Sequence, residues 1–357
     1  MQEELVHWDL PQFEVLRPFD TAVSTEDHYS CMQENIESAL SLDLLSTIRN
    51  ERVDYGYHTT YVESRRVWQN SLINAITSTS INISDHVTSN VKTRWIVFTG
   101  GAMGSGKSHM MRWLLTENFL PINGLVAIDP DKIRRALPEW PLYVEAGGNQ
   151  AGYLTHKESC LIAELSQEVA LRNERNIWVD GSLRDTAWYL KTVIDIRKRF
   201  PDYRIAVLYV TAPREVILRR VETRGRVTGR FVAVEKVDAS IEGSARTVKK
   251  LQTLVDVSAT IDNQYEHPCL PELVSVETGG VSRNFSTWDR FSEIFVNPDA
   301  LEPWIALSHF SQVFDKILCF GHHLTKQRIL SFFEQRSEIF CSESLFAQQL
   351  RNLLQRE

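Results

Sequence analysis

The pattern of apolar and polar positions changes character near residue 94. Before that point, apolar residues are spaced as in helices over 28–50 and 60–77, joined by the turn-like Asp54-Tyr55-Gly56. A polar Ser/Thr/Asn stretch from 77 to 90 reads as a linker. From Arg94 onward, four short apolar runs appear at 95–99, 125–128, 177–179 and 205–210. Each is rich in valine or isoleucine and is followed by a loop and a helical pattern. Near-continuous apolar strands alternating with helices predict a parallel sheet covered on both faces, and a fifth run at 259–261 extends it. The stretch Thr278-Gly279-Gly280-Val281-Ser282-Arg283 reads as a polar loop, with helical spacing beyond it at 306–320, 325–340 and 344–354. The expected organisation is a mainly helical region over 1–91, an α/β domain over 92–280 and a helical extension over 281–357.

Composition adds little to this picture until it is divided along the chain. The 357 residues are 43% hydrophobic and 24% charged, values ordinary for a globular protein. The net charge of −7 argues against bulk nucleic acid as the main partner. That acidity belongs to residues 1–45, where ten acids face Arg17 alone. Five widely spaced cysteines without a CxxC pair point away from a disulfide framework or structural zinc, and towards a reducing compartment. The start MQEELVHWDL lacks the basic and apolar parts of a signal peptide, and no apolar run is long enough to span a bilayer. A cytoplasmic protein is expected.

The strongest local signal is Gly101-Ala102-Met103-Gly104-Ser105-Gly106-Lys107-Ser108, which fits G-x-x-x-x-G-K-[ST]. Glycines let successive backbone N–H groups turn inward around phosphate oxygens, which side chains would obstruct. Lys107 is placed to reach the β- and γ-phosphates and the Ser108 hydroxyl to join a Mg²⁺ shell. The helix expected from Lys107 adds its positive end to the same anion. An α/β P-loop NTPase or kinase fold that binds a nucleoside triphosphate is therefore expected.

Three further features separate a kinase from a switch or a motor. The strand at 125–128 ends in Asp129-Pro130-Asp131, where a carboxylate can take the proton of an acceptor hydroxyl, or where Asp131 can cap the following helix. The strand at 177–179 ends in Asp180-Gly181-Ser182-Leu183-Arg184. Asp180 there resembles a carboxylate that acts on Mg²⁺ directly or through water. Arg184 has two readings, a bidentate clamp on a substrate phosphate or a surface ion pair with Asp185 or a nearby acid. Residues 214–230 hold six arginines and two glutamates. Arg224-Gly225-Arg226-Val227-Thr228-Gly229-Arg230 reads as a mobile lid, with arginines for transition-state charge and glycines for closure. The Asn-Lys-x-Asp sequence expected of a switch GTPase is lacking. Phe320-Gly321-His322-His323 offers no third ligand nearby in sequence and is set aside as a metal site.

Taken in order, Gly101–Ser108, Ile128-Asp129-Pro130-Asp131, Asp180-Gly181-Ser182-Leu183-Arg184, Ala212-Pro213, Arg224 and Arg230 resemble the zeta-toxin family of P-loop kinases over about residues 94–265. The resemblance implies ATP and Mg²⁺ as co-substrate and cofactor, and a hydroxyl of a UDP-activated amino sugar as acceptor. It implies Asp131 as general base, Lys107 and Ser108 on ATP and Mg²⁺, and Asp129, Glu158, Asp180, Ser182 and Arg184 on the substrate side. Arg224 and Arg230 would neutralise the transferring phosphoryl group. Asp180 stands where the bacterial toxins carry Glu, Pro130 separates the two acids, and residues 138–152 suggest an enlarged substrate loop. These departures fall on the acceptor side. The alternative is a nucleotide-dependent binding or scaffold protein with little phosphotransfer, and an antitoxin-like protein partner stays open.

Overall fold

The computed structural model describes residues 8, 10–15, 17–31, 44–81, 93–147, 150–228, 232–264, 271–279, 281–283 and 287–296, all within the compact unit Met1–Ala300. Three helices come first: α1 (Thr25–Tyr29), α2 (Leu44–Arg52) and α3 (Glu63–Ser78). Then follow β1 (Arg94–Gly100), α4 (Lys107–Thr116), β2 (Leu125–Ile128), α5 (Pro130–Ala136), α6 (Trp140–Glu145), α7 (Ala151–Leu154) and α8 (His156–Arg172). The second half of the sheet domain is β3 (Asn176–Asp180), α9 (Thr186–Arg199), β4 (Tyr203–Thr211), α10 (Arg214–Thr228), α11 (Val234–Leu251) and β5 (Val257–Asp262). A hairpin of β6 (Glu272–Thr278) and β7 (Val281–Arg283) precedes α12 (Trp288–Val296).

The strands form one sheet in the order β2-β3-β1-β4-β5-β6-β7. The five predicted strands are mutually parallel, and β6 and β7 add antiparallel at one edge. The parallel strands are apolar because helices cover both faces; Ile96, Val97 and Phe98 of β1 are wholly buried. Register matters most between β1 and β3, where Thr99 pairs with Asp180 at the carboxyl ends. Ligands of open α/β sheets bind in the crevice beyond those ends.

The expected polar loop at 278–283 is instead the turn and second strand of the β6–β7 hairpin, with Gly279 at φ +61°. An antiparallel strand with one wet face alternates, as β6 does from exposed Glu272 to buried Val276, and carries no solid apolar run. Beyond the hairpin, Phe295 of α12 packs at a tilt against Trp95 of β1, and Trp288 meets Trp113 and Phe119. At the other end of the chain, α2 and α3 pack on α8, with Trp68, Leu72 and Ile76 of α3 buried. The expected helix over 28–50 is divided: α1 ends at Tyr29, Ser30 bridges to Tyr61, and α2 begins at Leu44. Ile81, inside the expected linker, bridges to Leu125 of β2. The rest of that linker, most of the acidic leader and the expected helices after residue 301 lie outside the described residues, as do His322 and His323.

Candidate active site

The phosphate loop runs from the end of β1 to the start of α4. Gly101, Gly104 and Gly106 sit at φ +143°, +88° and +90°. Strain is not the whole reason: a Cβ on Gly101 would strike the Val210 carbonyl, and one on Gly106 would strike the Asn263 carboxamide. That carboxamide donates from Nδ2 to the Ser105 carbonyl at 2.8 Å, while Arg220 Nη1 donates to the Asn263 carbonyl at 2.9 Å. The loop is thus braced from β5 and α10. Ala102 and Ser105 are buried, Met103 is half-buried, and the Ser108 side chain faces outward.

Lys107 Nζ donates to the carbonyls of Gly101 at 2.9 Å and Ala102 at 3.2 Å. Burial pushes its ammonium below the usual lysine range, against the pull of Asp180 and Asp131. The charge of Arg224 acts on it in the same direction as burial.

Asp180 is held from two sides. Thr99 Oγ1 donates to its Oδ1 at 2.9 Å, and Trp178 Nε1 in turn donates to Thr99 Oγ1 at 3.1 Å. Ser108 Oγ donates to Oδ2 at 3.2 Å. Burial raises the Asp180 carboxyl above its ordinary value, opposed by Lys107 and the two hydroxyl bonds. A hydroxyl and a carboxylate at the start of a phosphate-binding helix are hard oxygen donors. Mg²⁺ takes one or two such protein ligands with phosphates and water, so the donor set fits it.

Across β3, β2 ends at the other acids. Asp129, not Asp131, caps α5: its Oδ1 accepts from the backbone N–H of Asp131 at 2.8 Å and of Lys132 at 3.2 Å, with Pro130 in the first turn. Desolvation, with Asp180 and Asp131 adding, raises the Asp129 carboxyl to about 6. Asp131 is thereby released from the capping role. Its side chain is 46% exposed, and Oδ1 meets Arg134 Nη1 at 3.0 Å.

The loop after Asp180 is shaped by Leu183, a fully buried residue at φ +53° that covers Gly100 so closely that any Cβ there would collide with it. A left-handed leucine costs about 1 kcal/mol, which burial of its side chain offsets. The Ser182 carbonyl accepts from Gly101 N at 3.4 Å and from Ser244 Oγ of α11 at 2.5 Å, so the loop is stitched to the phosphate loop. The Ser182 hydroxyl accepts from Arg184 N at 3.4 Å. Arg184 is exposed above Gly243. Asp185 caps α9, its Oδ1 accepting from Trp188 N at 3.0 Å.

Three sequence expectations need correction. Glu158 is not on the substrate side but fully buried, its carboxylate taken by Arg65 at 2.7 Å and 3.0 Å and by Gln69 at 2.7 Å. Burial alone would raise this carboxyl, yet Arg65 and Gln69 hold it below the usual range. The predicted lid is not a glycine-hinged loop as far as Thr228, since α10 continues through Arg224 and buried Gly225. Arg226 pairs with Glu222 one turn back, and Arg230 lies outside the described residues. The expected substrate loop at 138–152 carries α6 and α7, and Tyr143 of α6 packs on Phe19 and donates to the Val23 carbonyl at 2.6 Å. A groove of about 720 Å³ opens between 15–21 and 138–146, lined by Arg17, Phe19, Pro138 and Glu145 among others. No phosphate-loop residue lines it.

Sequence reasoning missed Arg220, Asn263, Arg134 and His156. Asn263 lies one residue beyond Asp262, the position that the rule behind Asp129 and Asp180 picks out after the run at 259–261. Arg134 and His156 carry no local signal.

A parallel sheet in the order β2-β3-β1-β4-β5, a phosphate loop after its central strand and carboxylates at the ends of β3 and β2, the two strands to one side of it, define a P-loop kinase fold. The zeta toxin family profile matches residues 80–268, more than half of the chain, and the chain belongs to that family. As a member it is an ATP-binding P-loop kinase. Among solved structures, the AvrRxo1-ORF1:-ORF2 complex is similar over 76% of this chain and 82% of that one, at 15% identity and a TM-score of 0.50. The PezAT toxin-antitoxin system of Streptococcus pneumoniae matches at 16% identity over 72% and 98% of the two chains, with a TM-score of 0.47. Deoxyadenosine kinase from M. mycoides with bound dATP matches at 14% identity over 48% and 93%, with a TM-score of 0.31. No curated protein matches the sequence. Among the described residues no helix is long and apolar enough to cross a membrane.

Proposed function

We propose that the protein transfers the γ-phosphoryl group of ATP to a hydroxyl of a small-molecule acceptor, with a UDP-activated amino sugar as the first candidate. The observation that carries this reading is the meeting of three elements at adjoining strand ends: the braced phosphate loop with Lys107, the Thr99–Asp180–Ser108 chain, and half-exposed Asp131.

In this reading the loop N–H groups of 101–106 hold the α- and β-phosphates, and Lys107 bridges the β- and γ-phosphates. Ser108 and Asp180 would hold Mg²⁺, which supplies neutralisation of the charge that develops on the phosphates. Asp131 accepts the proton of the acceptor hydroxyl as its oxygen attacks the γ-phosphorus. The bond to the bridging oxygen breaks, and ADP leaves with the electron pair. Asp129 and Ser182 orient the acceptor, and Arg184 clamps its anionic part. Arg224 and Arg230 offset charge on the transferring group. The catalytic unit is residues 92–280, with 1–91 as the scaffold of its acceptor side. The zeta toxin profile over 80–268 supports the phosphotransfer. PezAT is a toxin-antitoxin system, and a protein inhibitor of this chain is a corresponding proposal.

The test is transfer of label from γ-labelled ATP into a panel of hydroxyl acceptors that includes UDP-sugars. Lys107→Ala and Asp131→Asn are each expected to lower transfer by about 10²–10⁴-fold. Full transfer by both variants would sink the assignment. ATP binding without transfer to any acceptor would leave the scaffold reading in its place.

A further inference from the structure

Arg134 is buried, at 7% exposure, whereas the carboxylate it holds is 46% exposed on its side chain. An exposed pair three residues apart on a helix is ordinary decoration. This pair is not of that kind, because the cation has been desolvated and its rotamers frozen in order to meet one half-open acid. The arrangement of its donors is equally unusual. Nη1 meets Asp131 Oδ1 at 3.0 Å, Nη2 lies 3.5 Å from His156 Nδ1, and Nε is buried without a partner.

His156 opens α8 and sits on an exposed turn. Desolvation and then the guanidiniums of Arg134 and Arg184 push the imidazole below its usual value, with Asp131 opposing. A neutral ring can accept at Nδ1, which a protonated one cannot. Cys160, one turn on, rests its sulfur 3.6 Å from Nδ1 and 3.8 Å from Nε2. Around Asp131 there are thus Arg134 and Asp129 from α5, Lys107 from α4, Asp180 from β3, and His156 and Cys160 from α8.

We propose that Arg134 is a positioning residue for the phosphotransfer, fixing the Asp131 carboxylate towards the acceptor hydroxyl, with His156 seating the other arm of its guanidinium. This rests on the reading of Asp131 as the general base. A carboxylate that rotates about its side chain reaches the hydroxyl in only a fraction of its conformers; the guanidinium on Oδ1 narrows that set. The effect belongs to the chemical step and not to ATP binding.

The experiment compares Arg134→Gln, Arg134→Lys, His156→Ala and Asp131→Asn by kcat and by KM for ATP, with thermal melting as a check on folding. Arg134→Gln is expected to lower kcat about 10–100-fold with KM for ATP within about twofold. Arg134→Lys recovers most of the loss, because the contact with Asp131 is a single N–O pair. His156→Ala, at an exposed position that tolerates truncation, lowers kcat severalfold. In Asp131→Asn, adding Arg134→Gln costs nothing further, as expected for residues that act as one unit. Unchanged kcat in Arg134→Gln and His156→Ala, beside an inactive Asp131→Asn, overturns the positioning role and leaves the base intact. A loss in Arg134→Gln that lysine does not recover and that tracks a lower melting temperature also overturns it. An active Asp131→Asn removes the base reading itself.

Discussion

Two clusters of charge lie close together in this molecule, and they are built on opposite terms. Around Arg65 all three guanidinium nitrogens are used. Its Nε and Nη2 meet Glu158, and Nη1 and Nη2 meet Glu139, all between 2.7 and 3.0 Å. Tyr29 adds a hydroxyl to Glu139 at 2.7 Å, and the rings of Phe13, Tyr29 and Trp68 surround the guanidinium within 4.9 Å. At the strand ends, by contrast, Asp129 and Asp180 are raised and Lys107 is lowered, each by desolvation first. Charges held away from their preferred state are what a phosphotransfer site can use, because phosphates, a cation and an acceptor complete them. The saturated cluster has nothing left to offer a ligand and serves to weld α3, α8 and the chain after α5 together.

The sharpest break in this comparison is Arg65→Met. It strands Glu139 and Glu158 in the core with uncharged partners such as Gln69 and Tyr29 to answer them, at a cost of about 3–5 kcal/mol. Arg65→Lys does not repair it, since three donors on one nitrogen cannot serve two carboxylates in a planar fork. Chemical denaturation measures the loss. A stability within 1 kcal/mol of the parent, as an order-of-magnitude threshold, would mean the cluster is not the weld described here.

The same comparison explains what could be read along the chain and what could not. The five parallel strands announce themselves because burial on both faces demands solid apolar runs, and the phosphate loop because its chemistry is contained in eight consecutive residues. Glu158 misled for a geometric reason. It stands two residues after His156, but a helix turns about 100° per residue, so the imidazole faces Arg134 while the carboxylate faces Arg65 in the core. Arg65 itself lies in a correctly expected helix, yet its burial depends on partners 74 and 93 residues away. The Asn263 brace spans 158 residues. Such contacts leave no periodicity behind. Leu183 is a similar case, since nothing in the five residues from Asp180 to Arg184 marks one as left-handed.

A smaller effect sharpens the other side of the comparison. With its folded carboxyl raised to about 6, Asp129 keeps its proton where an unfolded aspartate, near 4, has already released it. The folded state therefore binds the proton more tightly. This contribution to stability is full below pH 4, falls as pH rises to about 6, and is absent above that. Asn caps a helix as well as Asp does, so Asp129→Asn keeps α5 capped and removes the burden. The variant is expected to be about 1–3 kcal/mol more stable at pH 7, with no gain at pH 4, and to transfer phosphate more slowly. Denaturation at the two pH values decides it; an equal change at both would show that the carboxyl is not raised.

The smallest expected effect concerns the seam that holds the open cluster in shape. Asn263 donates to the Ser105 carbonyl and accepts from Arg220, and its carboxamide fills the space that a Cβ on Gly106 would claim. Because Arg220 bonds the backbone carbonyl, Asn263→Ala removes only the link to Ser105. One buried carbonyl then loses its donor, at about 1 kcal/mol, and the loop gains conformers in which its N–H groups no longer converge. ATP affinity should fall about three- to tenfold, while global stability changes less, because the lost bond restrains a loop and not the core. Asn263→Gln does not restore it, since the longer side chain has no room beside Gly106. Calorimetric titration with ATP measures the affinity. Unchanged binding in Asn263→Ala would show that the glycine loop holds its shape by its own backbone, and that the open cluster needs no support from β5.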